Sequence, residues 1–354
     1  MKDFKTIGVL TSGGDAPGMN AAVRAVTRAA LSKGLRVLGI MRGYSGLIDR
    51  DVEELHARSV GNIIDRGGTI LYSARCKEMM TPEGFARAVE SCHALGIDGI
   101  VAIGGDGTFR GAKKLTEHGV PCICLPGTID NDIASTDHTI GFDTAMNTVI
   151  ALIDNLRDTC ESHSRCSVIE VMGRGSGDIA LNTGIGSGAT GIAIPEIPFD
   201  ADALIEKIRR SRELGKRNFL VIVSEAFGGD FGEKLTKRIE AETGVESRFA
   251  RLGHIVRGGS PSLHDRVLAS QMGYLAVEEL LKGHSNLVIC ERRNKIVSRD
   301  IQYALTLDAM YKEKLEEGEL ERFDEETVQR MQSHCERKRK TIQRLYEMAN
   351  TINI

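Results

Sequence analysis

The chain has 354 residues, of which 41% are hydrophobic and 27% charged, with a formal net charge of −3. This length exceeds what one hydrophobic core usually holds, so we expect two lobes. The charge excludes a nucleic-acid binder that neutralises a phosphate backbone, and no apolar run approaches the roughly 20 residues that span a bilayer.

The first half of the chain alternates strand and helix patterns. Short apolar runs predict strands at residues 7–10, 36–40, 99–103 and 121–125, and longer mixed stretches predict helices at residues 19–33 and 109–117. Strands that alternate with helices predict a parallel sheet that is covered on both faces.

The second half repeats this alternation without a fixed-period repeat. We expect strands at residues 167–172, 192–195 and 219–224 and helices at residues 142–160 and 201–214. The charged stretch 324–349 has apolar residues at the spacing of an amphipathic helix. We expect its basic run at residues 337–340 to form the solvated face.

The eight cysteines have no zinc-like spacing. A disulfide framework is atypical of a chain this long, so we expect eight reduced thiols that mostly fill the core. The N-terminal apolar run is too short for a secretory signal. These features predict a cytoplasmic protein with no nucleic-acid or membrane partner.

Three glycine-rich turns follow three of the predicted strands. Gly13 and Gly14 in TSGGDAPGMN allow a close backbone approach to a nucleotide, although such turns also serve tight packing alone. The GGDGT turn (Gly104 to Thr108) places a carboxylate between glycines, which suits a Mg²⁺ ion that bridges phosphates. NAD kinases and diacylglycerol kinases carry a similar GGDGT, so this motif leaves the substrate open.

The third turn, PGTIDND, carries two carboxylates two residues apart, Asp130 and Asp132. One can accept a proton from an attacking hydroxyl while the other orients a metal ion or the base. The pair alone could form an Asx-type turn. Its position one strand after GGDGT favours the catalytic interpretation.

Together these segments resemble the phosphofructokinase family, and the resemblance covers about residues 5–310. It extends to VMGR at residues 171–174, to LGHIVRGGSP at residues 252–261 and to Asp265 and Arg266. The resemblance implies an α/β fold of two Rossmann-like three-layer lobes with mostly parallel sheets and an active site in the cleft between them. The expected lobes are residues 1–140 plus 255–303, which bind ATP, and residues 141–254 plus 304–354, which bind the sugar phosphate.

The resemblance also implies roles for individual residues. It implies ATP contacts from Gly14, Arg75, Cys76, Gly105, Asp106, Gly107 and Thr108. It implies contacts to fructose 6-phosphate or to the transferring group from Thr128, Ile129, Asp130, Arg165, Met172, Gly173, Arg174, Glu225, Arg248, His254, Ile255, Val256 and Arg257. Asp130 is then the general base for the 1-hydroxyl, Arg174 and Thr128 complete the catalytic set, and Asp106 holds Mg²⁺.

The same family pattern implies a homotetramer with shared active sites, because Arg165 and Arg248 would reach the substrate phosphate of a neighbouring subunit. Two glycines indicate the phosphoryl donor. Pyrophosphate-dependent members typically carry Asp at the position of Gly107 and Lys at that of Gly127. Glycine leaves room for the ATP α-phosphate at both positions, so we expect an ATP-dependent enzyme.

Effector control is where the chain departs from its bacterial relatives. Arg24, Arg28 and Arg157 match basic residues of the family's allosteric site. Thr190 stands where a glutamate is common and Ala57 where an arginine is common. We therefore expect altered or absent control by ADP and phosphoenolpyruvate.

Three alternatives remain from the sequence. The first is a pyrophosphate-dependent phosphofructokinase, and the second is a kinase of a related sugar phosphate such as tagatose 6-phosphate or sedoheptulose 7-phosphate. The third is a non-catalytic regulatory subunit, which the intact set of aspartates disfavours.

Overall fold

Two separate β-sheets, one of seven strands and one of four, organise the chain in the computed structural model, which describes residues 4–353. The strands are β1 (Thr6–Ser12), β2 (Arg36–Ile40), β3 (Val52–Glu54), β4 (Gly99–Gly104), β5 (Cys122–Pro126), β6 (Cys166–Val171), β7 (Gly191–Ala193), β8 (Phe219–Ser224), β9 (Ser247–Arg251), β10 (Leu287–Arg292) and β11 (Lys295–Asp300).

The α-helices are α1 (Met19–Ser32), α2 (Tyr44–Asp49), α3 (Pro82–Ala94), α4 (Asp106–Glu117), α5 (Phe142–Ser162), α6 (Asp178–Gly186), α7 (Ala201–Glu213), α8 (Phe231–Thr243), α9 (Leu263–Leu281), α10 (Ile301–Tyr311) and α11 (Glu325–Ile352). Short 3-10 helices lie at Glu78–Met80, Glu225–Phe227, Gly253–Arg257 and Glu319–Arg322. None of the helices among residues 4–353 is both long and apolar enough to cross a membrane.

The chain divides into two units. The first runs to Ile129 and includes Ile133–Thr144 and Arg257–Asp324. The second comprises Asp130–Asp132, Ala145–Val256 and the residues from Glu325 onwards.

The first unit contains the seven-stranded sheet, in the order β11-β10-β5-β4-β1-β2-β3. Its strands are parallel except at the two edges, where β3 and β11 run antiparallel to their neighbours. The central strands β1, β4 and β5 are buried along their whole length, as expected for apolar strands that helices cover on both faces. Helices α1 and α9 approach closely at Gly273, where a Cβ atom would lie 2.8 Å from that of Ala25.

The second unit contains the four-stranded parallel sheet, in the order β7-β8-β6-β9. Its strands β6 and β8 are buried throughout. One core cluster joins the sheet to the apolar faces of α7 and α8, with Val168, Val221, Ile208 and Ile239 among its members. The α/β class and the mostly parallel sheets are confirmed.

Several boundaries differ from those predicted. Residues 130–132 and 255–256 belong to the second unit instead of the first, and residues 141–144 belong to the first unit instead of the second. The helix expected at residues 109–117 begins at Asp106, so part of the GGDGT turn is helical. Residues 304–324, assigned from the sequence to the second lobe, belong to the first unit. The reason is packing, because Ile301 and Ala304 of α10 are buried in the same core cluster as Phe109.

None of the eight cysteines, all of which lie within residues 4–353, forms a disulfide, as expected, and seven of them are buried. Burial raises the pKa of Cys290 to about 11 and that of Cys92 to about 12. Buried thiols with such pKa values carry little thiolate at neutral pH, so they act as core residues and not as nucleophiles.

Candidate active site

The loops that follow β1 and β4 in the first unit interlock through Thr108. Its hydroxyl donates a hydrogen bond to the carbonyl of Ser12 at 3.1 Å. A side chain at Gly104 would prevent this contact, since a Cβ there would lie 2.3 Å from the Ser12 oxygen and 2.4 Å from Thr108 Oγ1. The glycine therefore fixes the distance between the two loops.

Asp106 occupies the first turn of α4, directly after β4 ends. A carboxylate is favoured there because the backbone N–H groups of the first turn are unpaired and the helix dipole is positive at that end. The Asp106 carboxylate accepts a hydrogen bond from Arg110 Nη1 at 2.9 Å. Its side chain remains 17% exposed, so it is accessible to a ligand.

The two glycines that indicate the phosphoryl donor have different surroundings. A Cβ at Gly107 would meet no atom within 4 Å, and the same holds for Gly105. A Cβ at Gly127 would lie 3.1 Å from Ile103 Cγ2 and 3.1 Å from Met19 Cε. The expectation that glycine leaves room for a nucleotide phosphate therefore fits Gly107. A side chain at Gly127 would instead have to displace the side chains of Ile103 and Met19.

The loop at Gly13 and Gly14 is held from two sides. Ser73 Oγ donates to the carbonyl of Gly13 at 2.7 Å, and Gly13 has a φ of +91° that glycine adopts at low cost. The guanidinium of Arg257 lies beside Gly14, with Nη1 at 3.9 Å from Asp15 Oδ1. Arg257, predicted at the sugar phosphate, is therefore placed next to the β1 loop.

Three further predicted site residues of the first unit lie in different environments: Arg75 and Cys76, predicted at the nucleotide, and Thr128, predicted in the catalytic set. Arg75 is exposed, while Cys76 is half-buried and packs against the core of the first unit. Thr128 extends the sheet locally, since its N–H donates to the carbonyl of Ile140 at 3.1 Å. Its own carbonyl accepts from Thr139 Oγ1 at 2.6 Å.

In the second unit, the loop Asp130–Asp132 buries both carboxylates. Asp132 Oδ2 lies 3.6 Å from Arg174 Nη1. Asn131, between them, has a φ of +49° and donates from Nδ2 to Asp178 Oδ2 at 2.9 Å. The amide anchor fixes a loop conformation that is uncommon outside glycine, and such strain is typical of functional sites.

Glu225 supports the loop that carries Arg174. Its Oε1 accepts hydrogen bonds from the backbone N–H groups of Gly173 at 3.1 Å and of Arg174 at 2.7 Å. Both loop residues have positive φ angles, +151° at Gly173 and +56° at Arg174. Glu225 thus fixes the Arg174 backbone, a contact that the sequence does not indicate.

The C-terminal helix α11 contributes to the same network. Lys338 Nζ lies 3.9 Å from Asp178 Oδ2, the oxygen that accepts from Asn131. The Lys338 side chain is only 20% exposed. The prediction that residues 337–340 form a fully solvated face is therefore wrong at Lys338, because Asp178 is buried and attracts a cation.

Several predicted substrate contacts have side chains that are occupied in packing. Ile129, Met172 and Val256 are buried, which leaves only their backbone atoms for a ligand. His254 and Ile255 are exposed on the 3-10 helix Gly253–Arg257.

Arg165 and Arg248 meet at one carboxylate, Glu246. Arg165 Nε lies 2.8 Å from Glu246 Oε2, and Arg248 binds the other oxygen, Oε1. Hydrogen bonding to Arg165, together with the charges of both arginines, lowers the pKa of Glu246. The structure thus brings the two predicted phosphate ligands together in the second unit.

The predicted effector residues fall into two groups. Arg24 and Arg28 lie on α1 in the first unit, and burial, together with the charge of Arg28, lowers the pKa of Arg24. Arg157 lies in the second unit, where it donates to the carbonyl of Ser187. Burial and the charge of Arg157 lower the pKa of Lys216, a nearby cation that the sequence interpretation missed.

Asp265 is buried and binds backbone groups of the protein, so its role is structural. It is 0% exposed and accepts hydrogen bonds from Gly141 N at 2.9 Å and from Thr144 N at 2.8 Å. Burial raises its pKa. It joins the start of α9 to the start of α5.

Comparisons with known proteins match this chain along most of its length. The family model described as phosphofructokinase matches residues 6–280. An ATP-dependent 6-phosphofructokinase of Clostridium novyi is 54% identical over 312 residues, which are 88% of this chain and 97% of that protein. One from Bacillus velezensis is 57% identical over 298 residues, which are 84% of this chain and 93% of that protein.

A solved structure agrees with the fold. The phosphofructokinase from Saccharomyces cerevisiae aligns with a TM-score of 0.85 at 31% identity and covers 98% of this chain. The chain spans 50% of the length of that yeast protein.

Proposed function

The chain belongs to the phosphofructokinase family, and we propose that it transfers the γ-phosphoryl group of ATP to O1 of fructose 6-phosphate. The products are ADP and fructose 1,6-bisphosphate, which makes it an enzyme of glycolysis. The observation that carries this proposal is the 54% and 57% identity to relatives that are named ATP-dependent 6-phosphofructokinase, over 97% and 93% of their length.

The surroundings of Gly107 support ATP as the donor. A Cβ at this position would point into open space at the N-terminus of α4. Bare backbone N–H groups at a helix N-terminus bind phosphates closely, and an aspartate side chain there would repel them. We therefore assign ATP contacts to the backbone of Gly105 and Gly107 and to the adjacent Thr108.

Asp106 is the proposed ligand of a Mg²⁺ ion. Mg²⁺ is usually held by one or two carboxylates together with substrate phosphates and water, so a single accessible carboxylate is sufficient. Asp106 is accessible, and no side chain fills the space beside Gly105 and Gly107. When bound, the ion would neutralise phosphate charge during transfer.

Asp130 is the proposed general base. It lies in a loop whose conformation is fixed by Asn131 and Asp178, so its carboxylate is held in place to accept the proton of the 1-hydroxyl. Arg174, held through its backbone by Glu225, would stabilise negative charge on the transferring phosphoryl group. Thr128 completes the proposed catalytic set.

Arg165, Arg248, His254 and Arg257 are the proposed ligands of the sugar phosphate. We assign Arg165 and Arg248 to the substrate of a neighbouring subunit in a homotetramer. Guanidinium groups bind phosphate dianions bidentately, and a phosphate would replace Glu246 as their partner. We further propose that the enzyme acts in the cytoplasm.

We further propose that control by ADP and phosphoenolpyruvate is altered or absent. Arg24, Arg28 and Arg157 are the basic residues available, while Thr190 is buried and carries no charge. The check is to measure the rate at subsaturating fructose 6-phosphate with phosphoenolpyruvate and then with added ADP. Strong inhibition that ADP relieves would contradict this part of the proposal.

The catalytic proposal is tested by initial rates with fructose 6-phosphate and either ATP or pyrophosphate, with the product identified by ³¹P NMR. We expect turnover with ATP alone and a product phosphorylated at O1. Turnover with pyrophosphate alone would favour the pyrophosphate-dependent alternative. Tagatose 6-phosphate and sedoheptulose 7-phosphate, assayed in parallel, identify a broader or different sugar specificity.

A further inference from the structure

Two histidines and a glutamate from three separate segments of the first unit converge outside the proposed active-site residues. His138 lies in the loop before α5, His264 is the second residue of α9, and Glu291 lies on β10. One potential ligand atom from each side chain lies within 4.8 Å of the other two. The rings of the two histidines are 5.1 Å apart at their centroids.

The two inner members of this cluster carry polar atoms without a partner. Oε2 of Glu291 and Nδ1 of His138 are buried, and neither has a hydrogen-bond partner among the residues that the structure describes. Glu291 as a whole is 6% exposed. A buried carboxylate oxygen without a partner is costly, so its retention indicates a group that binds it.

The backbone around the cluster is fixed by other contacts. Glu291 N donates to Thr136 Oγ1 at 2.9 Å, and Asp137 N donates to the Glu291 carbonyl at 2.8 Å. On the other side, Asp265 joins the start of α9 to Gly141. The backbone positions of the three ligands are therefore fixed before an ion binds.

The charge balance favours a cation. Arg292, the nearest guanidinium in sequence, is engaged by Asp137 at 3.0 Å. The cluster itself contributes one carboxylate and two imidazoles, which are neutral when they bind a metal.

We propose that His138, His264 and Glu291 bind a divalent transition-metal ion, with Zn²⁺ as the preferred one. A set of two histidines and one glutamate with an open fourth position is a known zinc coordination, and imidazole ligands disfavour Mg²⁺ and Ca²⁺. Tetrahedral ligands at Zn–N distances of about 2.0–2.1 Å lie roughly 3.4 Å apart. The side chains must therefore close by about 1 Å, which the exposed His264 can accommodate by changing its rotamer.

The ion would connect the loop before α5, the start of α9 and strand β10. Because the three ligands are assembled only in the folded chain, the ion raises the melting temperature as its concentration rises. This role is independent of the phosphoryl transfer proposed above.

The test is a zinc titration of the full-length chain after chelator treatment, with Mg²⁺ in excess to fill oxygen-rich sites. The variants are His264→Ala and Glu291→Gln, and the matched control is His93→Ala, which removes an exposed histidine on α3. We expect wild type and the control to bind one equivalent more than either cluster variant, or at least about tenfold more tightly. Zinc should raise the melting temperature of wild type and the control only.

Co²⁺ substitution adds a spectroscopic readout. We expect d–d absorption typical of a tetrahedral site with nitrogen and oxygen ligands, which His264→Ala abolishes while its circular dichroism stays that of wild type. Equal zinc stoichiometry and affinity in all four proteins would overturn the proposal. Thiolate-to-cobalt charge-transfer bands that persist in the cluster variants would overturn it as well, because the ion would then lie at a cysteine.

Discussion

The proposed nucleotide-binding residues of the first unit and the proposed catalytic residues of the second are built in opposite ways. The first set uses glycines and a helix N-terminus, with open space where side chains would be. The second set uses charged side chains, each held by another polar group. Bare backbone suits the recognition of phosphates common to many substrates, whereas fixed side chains suit a proton transfer at one atom.

The difference predicts how each region responds to substitution. Changes in the glycine loops should alter the affinity for the nucleotide and leave the chemical step intact. Changes in the side-chain network should lower kcat.

The largest effect is expected for Asp130→Asn. Loss of the general base should lower kcat by about 10²–10⁴-fold while ATP binding stays near that of wild type. Steady-state kinetics and calorimetric ATP titration measure the two quantities. The matched control is Asp158→Asn, an exposed aspartate on α5. If Asp130→Asn retained near wild-type kcat, Asp130 would lose its assigned role.

Gly107→Asp should raise the KM for ATP by about tenfold or more, since it places a negative charge among the phosphates. The fold should persist, because an aspartate is favoured in the first turn of a helix. Gly107→Ala is the control, and its Cβ meets no atom within 4 Å. An unchanged KM for ATP in Gly107→Asp, measured at saturating fructose 6-phosphate, would place the nucleotide elsewhere.

Glu225→Gln should lower kcat by about tenfold, because two charge-assisted hydrogen bonds to the Arg174 loop become neutral ones. A double-mutant cycle with Arg174→Ala separates two roles. If Glu225 acts by positioning Arg174, the second substitution has little further effect. Additive losses would show instead that Glu225 acts on the sugar by itself.

The smallest effect is expected for Lys338→Met, which removes the cation beside Asp178. The Nζ–Oδ2 distance is long at 3.9 Å and the Lys338 side chain is still 20% exposed, so the free energy of unfolding should fall by only about 1 kcal/mol and kcat by a few-fold. Urea denaturation and steady-state kinetics measure both. Lys340→Met, at an exposed position of the same helix, should change neither. Identical behaviour of the two variants would remove α11 from the catalytic network.

Much of the first region could be predicted from the sequence because its determinants are contiguous. The GGDGT turn of the first region follows an apolar run, as does the PGTIDND turn that leads into the second, and the strands and helices that carry them appear close to the expected positions. Arg174 and Glu225 lie far from Asp130 in the chain, and only the family resemblance identified them as site residues.

Contacts between distant segments could not be predicted. Lys338 and Asp178 are separated by most of the second unit, and a basic run on a helix ordinarily indicates a solvated face. His138, His264 and Glu291 show no metal-ligand spacing, because three different elements bring them together. In both cases the local pattern carries no information about the buried partner.

The most direct test of the division between the two regions is to measure kcat and both KM values for Asp130→Asn and Gly107→Asp in parallel. We expect Asp130→Asn to lower kcat with little change in the KM for ATP. We expect Gly107→Asp to raise the KM for ATP with little change in kcat. A lower kcat in both variants, or a higher KM for ATP in both, would contradict this division.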